Sequence, residues 1–131
     1  MKAELVVRSD PAGQGHFGAS RGDRKHKGID YACVPGTIIL SQCYGTVSKL
    51  GYPYADDLSY RYIEVTAPDH AKHRLFYVKP NNELSISDYV VLGEPIGWSQ
   101  DVAARYPGQG MINHVHYEIK VGDEYIDPEA V

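Results

Sequence analysis

Two short stretches hold the residue types best suited to chemistry. His114-Val115-His116-Tyr117-Glu118 lies near the C-terminal end, and His26-Lys27-Gly28-Ile29-Asp30 lies far upstream. Two histidines two residues apart on a strand project from one face, because strand side chains alternate. Val115, Tyr117 and Ile119 then point the other way, into a core. Converging imidazoles suit a metal ion or a catalytic pair. With the Asp30 carboxylate, His26 and His116 make a three-ligand set that leaves a zinc one open position for water or substrate. Such a set lowers the pKa of bound water towards ~7. His114 would stand beside the metal without binding it, able to take or give a proton during attack on an amide. Glu118 shares that face and is expected to orient a ligand from behind. A blander account also exists: six histidines in 131 residues can be scattered surface groups. Neither a lone His-x-His nor a lone His-x-x-x-Asp is diagnostic. Their complementary ligand types, each on a strand beside Gly-rich loops, favour a single zinc.

The elements that must position these groups read as strands. A chain of 131 residues suggests one domain, over residues 1–131, and 43% hydrophobic residues argue against disorder. Thirteen Gly, eight Pro and eleven Tyr fit short strands joined by tight turns. Strands are expected at Glu4–Arg8, Gly28–Ala32, Thr37–Ser41, Tyr44–Leu50, Tyr60–Thr66, Arg74–Val78 and His114–Val121. Tyr60–Thr66 and Arg74–Val78 form an antiparallel hairpin across the Pro68-Asp69-His70-Ala71 turn. One helical turn is expected within Gln100–Arg105. Residues 13–25 read as a polar surface loop delivering His26. About ten short strands with almost no helix predict an all-β, antiparallel sandwich or partly open barrel.

Composition narrows the function classes. A net charge of −4 argues against a nucleic-acid binder driven by phosphate contacts. No apolar run approaches the ~18 residues of a membrane span. The first eight residues are too short and too charged for a signal peptide, so synthesis in the cytoplasm is expected. Cys33 and Cys43 are expected as free, buried thiols rather than a disulfide. Arg21-Gly22-Asp23 matches an integrin-binding tripeptide, but more simply shapes its loop. Gly13-x-Gly15-x-x-Gly18 lacks the helix that a dinucleotide fingerprint needs.

The chain resembles a known family. Phe17-Gly18-x-x-Arg21 with Arg24-Lys25-His26-Lys27-Gly28-Ile29-Asp30-Tyr31 is similar to the first signature of the lysostaphin/LytM-type zinc endopeptidases. Val34-Pro35-Gly36-Thr37, Tyr44-Gly45-Thr46-Val47, Leu92-Gly93-Glu94-Pro95-Ile96-Gly97 and His114-Val115-His116-Tyr117-Glu118 continue in family order. Asp127-Pro128 resembles the usual Asn-Pro end. The match spans roughly residues 16 to 128. It implies a compact antiparallel β fold around one zinc and cleavage of peptides in bacterial peptidoglycan. It also implies His26, Asp30 and His116 as ligands and His114 as a catalytic histidine.

One departure stands out. The family has a second catalytic histidine in a Tyr-Ala-His-Leu-type strand, and counting back from Gly97 places Val78 there. Losing such a group typically costs about 10²–10⁴ in rate. The Phe76-Tyr77-Val78-Lys79-Pro80 stretch, with Tyr106-Pro107-Gly108, is also similar to the vertebrate leukocyte chemotaxin branch. That likeness implies a retained zinc without peptidase activity. Tyr77 is expected to face away from Val78, and it is a candidate to line the substrate groove or to support the site. His16, on the loop before His26, is a candidate replacement for the lost group, whereas His70 and His73 are expected to be solvated. Tyrosines including Tyr52, Tyr54, Tyr60 and Tyr62 could line a groove for peptide or glycan, though most read as half-buried sheet residues. Two expectations follow: a zinc endopeptidase acting on wall peptides, of phage-lytic or toxin type, or an inactive zinc module that binds peptide, glycan or a protein.

Overall fold

The computed structural model describes residues 5–22 and 24–130. Glu4 and Asp23, named above, lie outside the described residues. Fifteen short strands follow in order among them: β1 Val6–Val7, β2 Ser9–Asp10, β3 Gly13–Gln14, β4 Ser20–Arg21, β5 Arg24–Lys25, β6 Ile29–Ala32, β7 Ile38–Leu40 and β8 Gly45–Gly51. Then come β9 Tyr62–Thr66, β10 Lys72–Phe76, β11 Val78–Pro80, β12 Tyr89–Val90, β13 Pro95–Ser99, β14 His114–Val121 and β15 Glu124–Ile126. The helical content among the described residues is two 3-10 turns, Val102–Arg105 and Pro128–Ala130.

The strands form an all-β, antiparallel sandwich. The larger sheet runs β1-β6-β14-β10-β9-β8-β12, with β15 also on β14, and the smaller runs β11-β13-β7. Alternating residues of both sheets make one core, including Tyr31, Ile39, Ile63, Leu75, Val78, Ile96, Val115 and Ile119. The opposite face of the large sheet carries the polar residues. Register sets them in rows: Asp30, His116, Phe76 and Tyr62 lie across from one another, as do Glu118, Arg74 and Glu64.

Most expected strands are present, with two informative differences. Residues 13–25 are not a bare loop, for β3 closes a hairpin with β2, and β4 closes one with β5. The strand expected at Arg74–Val78 breaks at Tyr77, which separates β10 from β11. Cys33 and Cys43 are free, but half-buried rather than buried.

Candidate metal centre

β14 sits between β6 and β10, so its polar face lies at the middle of the large sheet. His116 pairs with Asp30 across β6, which puts imidazole and carboxylate side by side. His26 must then approach from the chain leading into β6. Gly28 permits this, because a Cβ there would collide with the Tyr117 carbonyl oxygen and lie 2.9 Å from His116 Cε1. Only glycine lets the backbone pass this closely over β14.

The three expected ligands converge. His26 Nε2 lies 3.2 Å from Asp30 Oδ1 and 3.1 Å from His116 Nδ1, and His116 Nδ1 lies 2.9 Å from Asp30 Oδ1. A tetrahedral zinc with ligand distances of about 2.0 Å needs edges of about 3.3 Å. The triangle matches one face of such a tetrahedron to within a few tenths of an ångström. The outer atoms fix the inner ones. His26 Nδ1 donates to the His16 carbonyl oxygen at 3.0 Å, leaving Nε2 with a lone pair. His116 Nε2 donates to Glu118 Oε1 at 2.8 Å, leaving Nδ1 free to ligate. Asp30 Oδ2 accepts from Arg8 Nη1 at 3.0 Å and Arg21 Nη2 at 3.5 Å, which leaves Oδ1 facing the imidazoles. The residue set therefore fits zinc in number, type and spacing.

Behind this triangle runs a polar chain. Glu118 Oε2 accepts from Arg74 Nη1, Arg74 Nε donates to Glu64 Oε2, and Ser48 Oγ donates to Glu64 Oε1, at 3.2, 2.7 and 2.8 Å. It crosses four strands and fixes Glu118 against His116. On the other side, buried Arg8 bridges Asp30 and Asp10, its Nε donating to Asp10 Oδ2 at 2.7 Å. Asp10 Oδ2 also accepts from the Ile112 backbone at 2.9 Å, tying the N-terminal segment to the loop before His114.

Electrostatics follow from these contacts. Burial opposes ionisation of Asp30, but hydrogen bonds from His116 and His26 outweigh it and hold the carboxyl well below its usual range. Burial likewise disfavours a charged His116, yet bonds to Asp30 and Glu118 push its pKa up to about 9. In the metal-free protein the triangle therefore keeps a proton. A folded pKa above the ordinary 6.5 stabilises the fold below pH 6.5, and that contribution is lost as pH rises through about 9. Metal-free protein is expected to lose up to about 3 kcal/mol of stability over that window, read by urea denaturation after chelator treatment. A zinc bound there would displace the proton, so zinc-loaded protein should lack this dependence.

His114 is buried beside the triangle. Its Nδ1 donates to the Ile112 carbonyl oxygen at 2.8 Å, so Nε2 carries the lone pair, 3.8 Å from Asp30 Oδ2. Burial keeps its pKa below the ordinary imidazole value, partly offset by Asp30.

A cleft of about 510 Å³ opens over these groups. Arg24, Lys25 and Lys27 line it, as do Tyr54, Tyr77 and Tyr106. Of the tyrosines expected at a groove, Tyr54 lines the cleft, whereas sequence reasoning missed Arg8, Arg74, Glu64 and Tyr106 as neighbours of the site. The expected replacement role for His16 has no support: its side chain is exposed and outside the cleft lining, and only its carbonyl oxygen serves the site. His73 is not solvated as expected, since it bonds Tyr117 Oη at 2.7 Å on the core face. His70 is exposed in the β9–β10 turn. Val78 is fully buried among core residues and reaches no part of the cleft.

Comparison with known proteins agrees with this architecture. The fold is similar to the catalytic domain of lysostaphin from Staphylococcus simulans, at 20% identity and TM-score 0.67, with 97% of each chain covered. It is similar to the catalytic domain of a point mutant of EnpA, a prophage-encoded M23 protein from Enterococcus faecalis. There the identity is 22% and the TM-score 0.69, over 97% of this chain and 91% of that one. LytU is similar at 22% identity and TM-score 0.67, over 97% of this chain and 87% of that one. Among curated proteins, none matches the chain. The profile of Peptidase family M23 matches residues 24–128, most of the sequence. On that match the chain belongs to peptidase family M23, the family of lysostaphin/LytM-type enzymes.

Proposed function

We propose that this protein is a zinc endopeptidase that hydrolyses amide bonds in the peptides of bacterial peptidoglycan. The observation that carries this reading is the near-tetrahedral triangle of His26 Nε2, Asp30 Oδ1 and His116 Nδ1 with an unligated imidazole beside it. A zinc held there would supply Lewis acidity, polarising an amide carbonyl and making water nucleophilic near neutral pH. His114 Nε2 takes the proton from the attacking water and returns it to the leaving amine. Glu118 and Arg74 hold His116 in orientation, and Arg8 does so for Asp30. The exposed cations Arg24, Lys25 and Lys27 favour peptides that carry free carboxylates, in a chain whose net charge is −4. The chain acts as one domain over residues 1–131, since both sheets supply a common core. No helix among the described residues is long and apolar enough to cross a membrane. The prophage origin of EnpA supports a phage-lytic or toxin-like role, with action at the wall after release.

A second reading, a zinc module that binds peptide, glycan or a protein without cleaving, has its own support. Among the described residues, the histidines lining the cleft are His26, His114 and His116, so one imidazole alone is free of the triangle. Elemental analysis and release of amines from purified sacculi separate the two. The peptidase reading expects one zinc per chain and hydrolysis that a chelator stops and added zinc restores. Zinc binding without amine release would establish the second reading, and absence of zinc would remove both.

A further inference from the structure

The break between β10 and β11 places a second polar group over the site. In a regular strand, neighbouring side chains face opposite ways, so Phe76 and Tyr77 could not both line one cleft. Here they do, with Phe76 against His116 at 5.3 Å between ring centroids and Tyr77 against His114 at 5.5 Å. The cause is a bulge. The backbone N–H groups of Tyr77 and Val78 both donate to the Arg61 carbonyl oxygen, at 2.8 and 3.1 Å, and Tyr77 takes φ 66°. A left-handed conformation is unfavourable for a bulky L-residue, and bulges recur beside active sites because they re-aim a side chain. Without the bulge, the Tyr77 ring would leave the cleft.

The hydroxyl at the end of that ring is poised to donate. Tyr54 Oη donates to Tyr77 Oη at 3.3 Å, and Tyr54 Oη bonds Tyr106 Oη at 2.8 Å. With Tyr54 spending its proton on Tyr77, Tyr106 donates to Tyr54. The three phenols thus point one way, and each bond polarises the next. Among the described residues, Tyr77 gives its own proton to no acceptor. The Arg105 guanidinium lies 3.6 Å above the centre of the Tyr54 ring and holds the row in place. Burial pushes the Tyr77 pKa up to about 12, so the donor keeps its proton throughout the neutral range.

We propose that the Tyr77 hydroxyl is a catalytic hydrogen-bond donor to the carbonyl oxygen of the scissile amide, tightening as negative charge develops there. This rests on the peptidase reading above. No proton is transferred by Tyr77; His114 carries the proton traffic, and the phenol stabilises charge. Tyr54 and Tyr106 are positioning residues, acting through Tyr77.

The test compares zinc-loaded wild type, Tyr77→Phe, Tyr77→His and Tyr54→Phe on purified sacculi. Tyr77→Phe keeps the ring and is expected to keep zinc content and melting temperature while kcat falls about 10²–10³-fold. Tyr77→His, whose ring N–H can donate, should recover part of that loss, and Tyr54→Phe should lower kcat less than Tyr77→Phe. Binding gives a separate readout. Muropeptides solubilised by a muramidase should bind His114→Ala and His114→Ala/Tyr77→Phe within about threefold, because the bond matters to the transition state and not the ground state. Wild-type hydrolysis with Tyr77→Phe at full rate overturns this proposal alone. Loss of zinc or of folding in Tyr77→Phe, or a loss seen only in muropeptide binding, makes Tyr77 structural or substrate-holding and also overturns it. A wild type that cleaves nothing overturns the peptidase reading and this proposal together.

Discussion

His114→Ala is expected to lower kcat for amide hydrolysis by about 10²–10⁴ while one zinc per chain remains. The argument is positional. His114 shares the strand face of His116, but its Nε2 points towards Asp30 Oδ2 at 3.8 Å and belongs to no edge of the ligand triangle. Its Nδ1 is committed to the Ile112 carbonyl, so Nε2 is the basic atom presented to the cleft. Alanine removes that base and leaves the three ligands with their own partners: His16 and Glu118 for the imidazoles, Arg8 for the carboxylate. Zinc content and rate are therefore predicted to separate. Elemental analysis alongside amine release from sacculi measures both. Loss of zinc in His114→Ala would make it a ligand, and an unchanged rate would remove its catalytic role.

Val78→His is expected to destabilise the fold by about 2–5 kcal/mol and to restore no activity. Counting along the chain suggests the opposite, because Val78 occupies the place of the family's second histidine. The side chain is nevertheless fully buried in the core. Its Cγ1 would lie 3.0 Å from a Cβ added at Gly97 on the paired strand β13, which shows how little room surrounds it. A larger ring in a packed core costs about 1–3 kcal/mol, and an imidazole N–H stranded without a partner adds about 1–3 kcal/mol. A melting temperature lower by roughly 10 °C or more is the expected reading. A stable Val78→His protein with enhanced hydrolysis would mean that this side chain reaches the cleft after all.

These two positions show what sequence could and could not convey. The alternation through β14 is legible, because His114, His116 and Glu118 follow a strict period of two against Val115, Tyr117 and Ile119. The ligand set is legible too, since His26 and Asp30 bring complementary donors on the approach to a strand. The bulge at Tyr77 is not. A left-handed tyrosine has no local signature, and a single-residue slip reverses which neighbour faces the cleft. Arg8 is hidden for another reason. It meets Asp30 across 22 residues through paired short strands, and nothing in its neighbours marks it as buried. Arg74 and Glu64 look like ordinary exposed charges until register aligns them with Glu118. The tyrosines near the cleft arrive from separate loops, so their meeting depends on the whole fold.

The place of β14 in the large sheet has a consequence for synthesis. This strand follows both β6 and β10 along the chain, yet it fills the gap between them. His26 therefore waits for a partner 90 residues downstream. Until His116 is made there is no triangle. Until β14 is made, the edges of β6 and β10 that it covers lack this partner, which makes the partial chain prone to aggregate. Assembly of the triangle is thus timed by the chain's own topology.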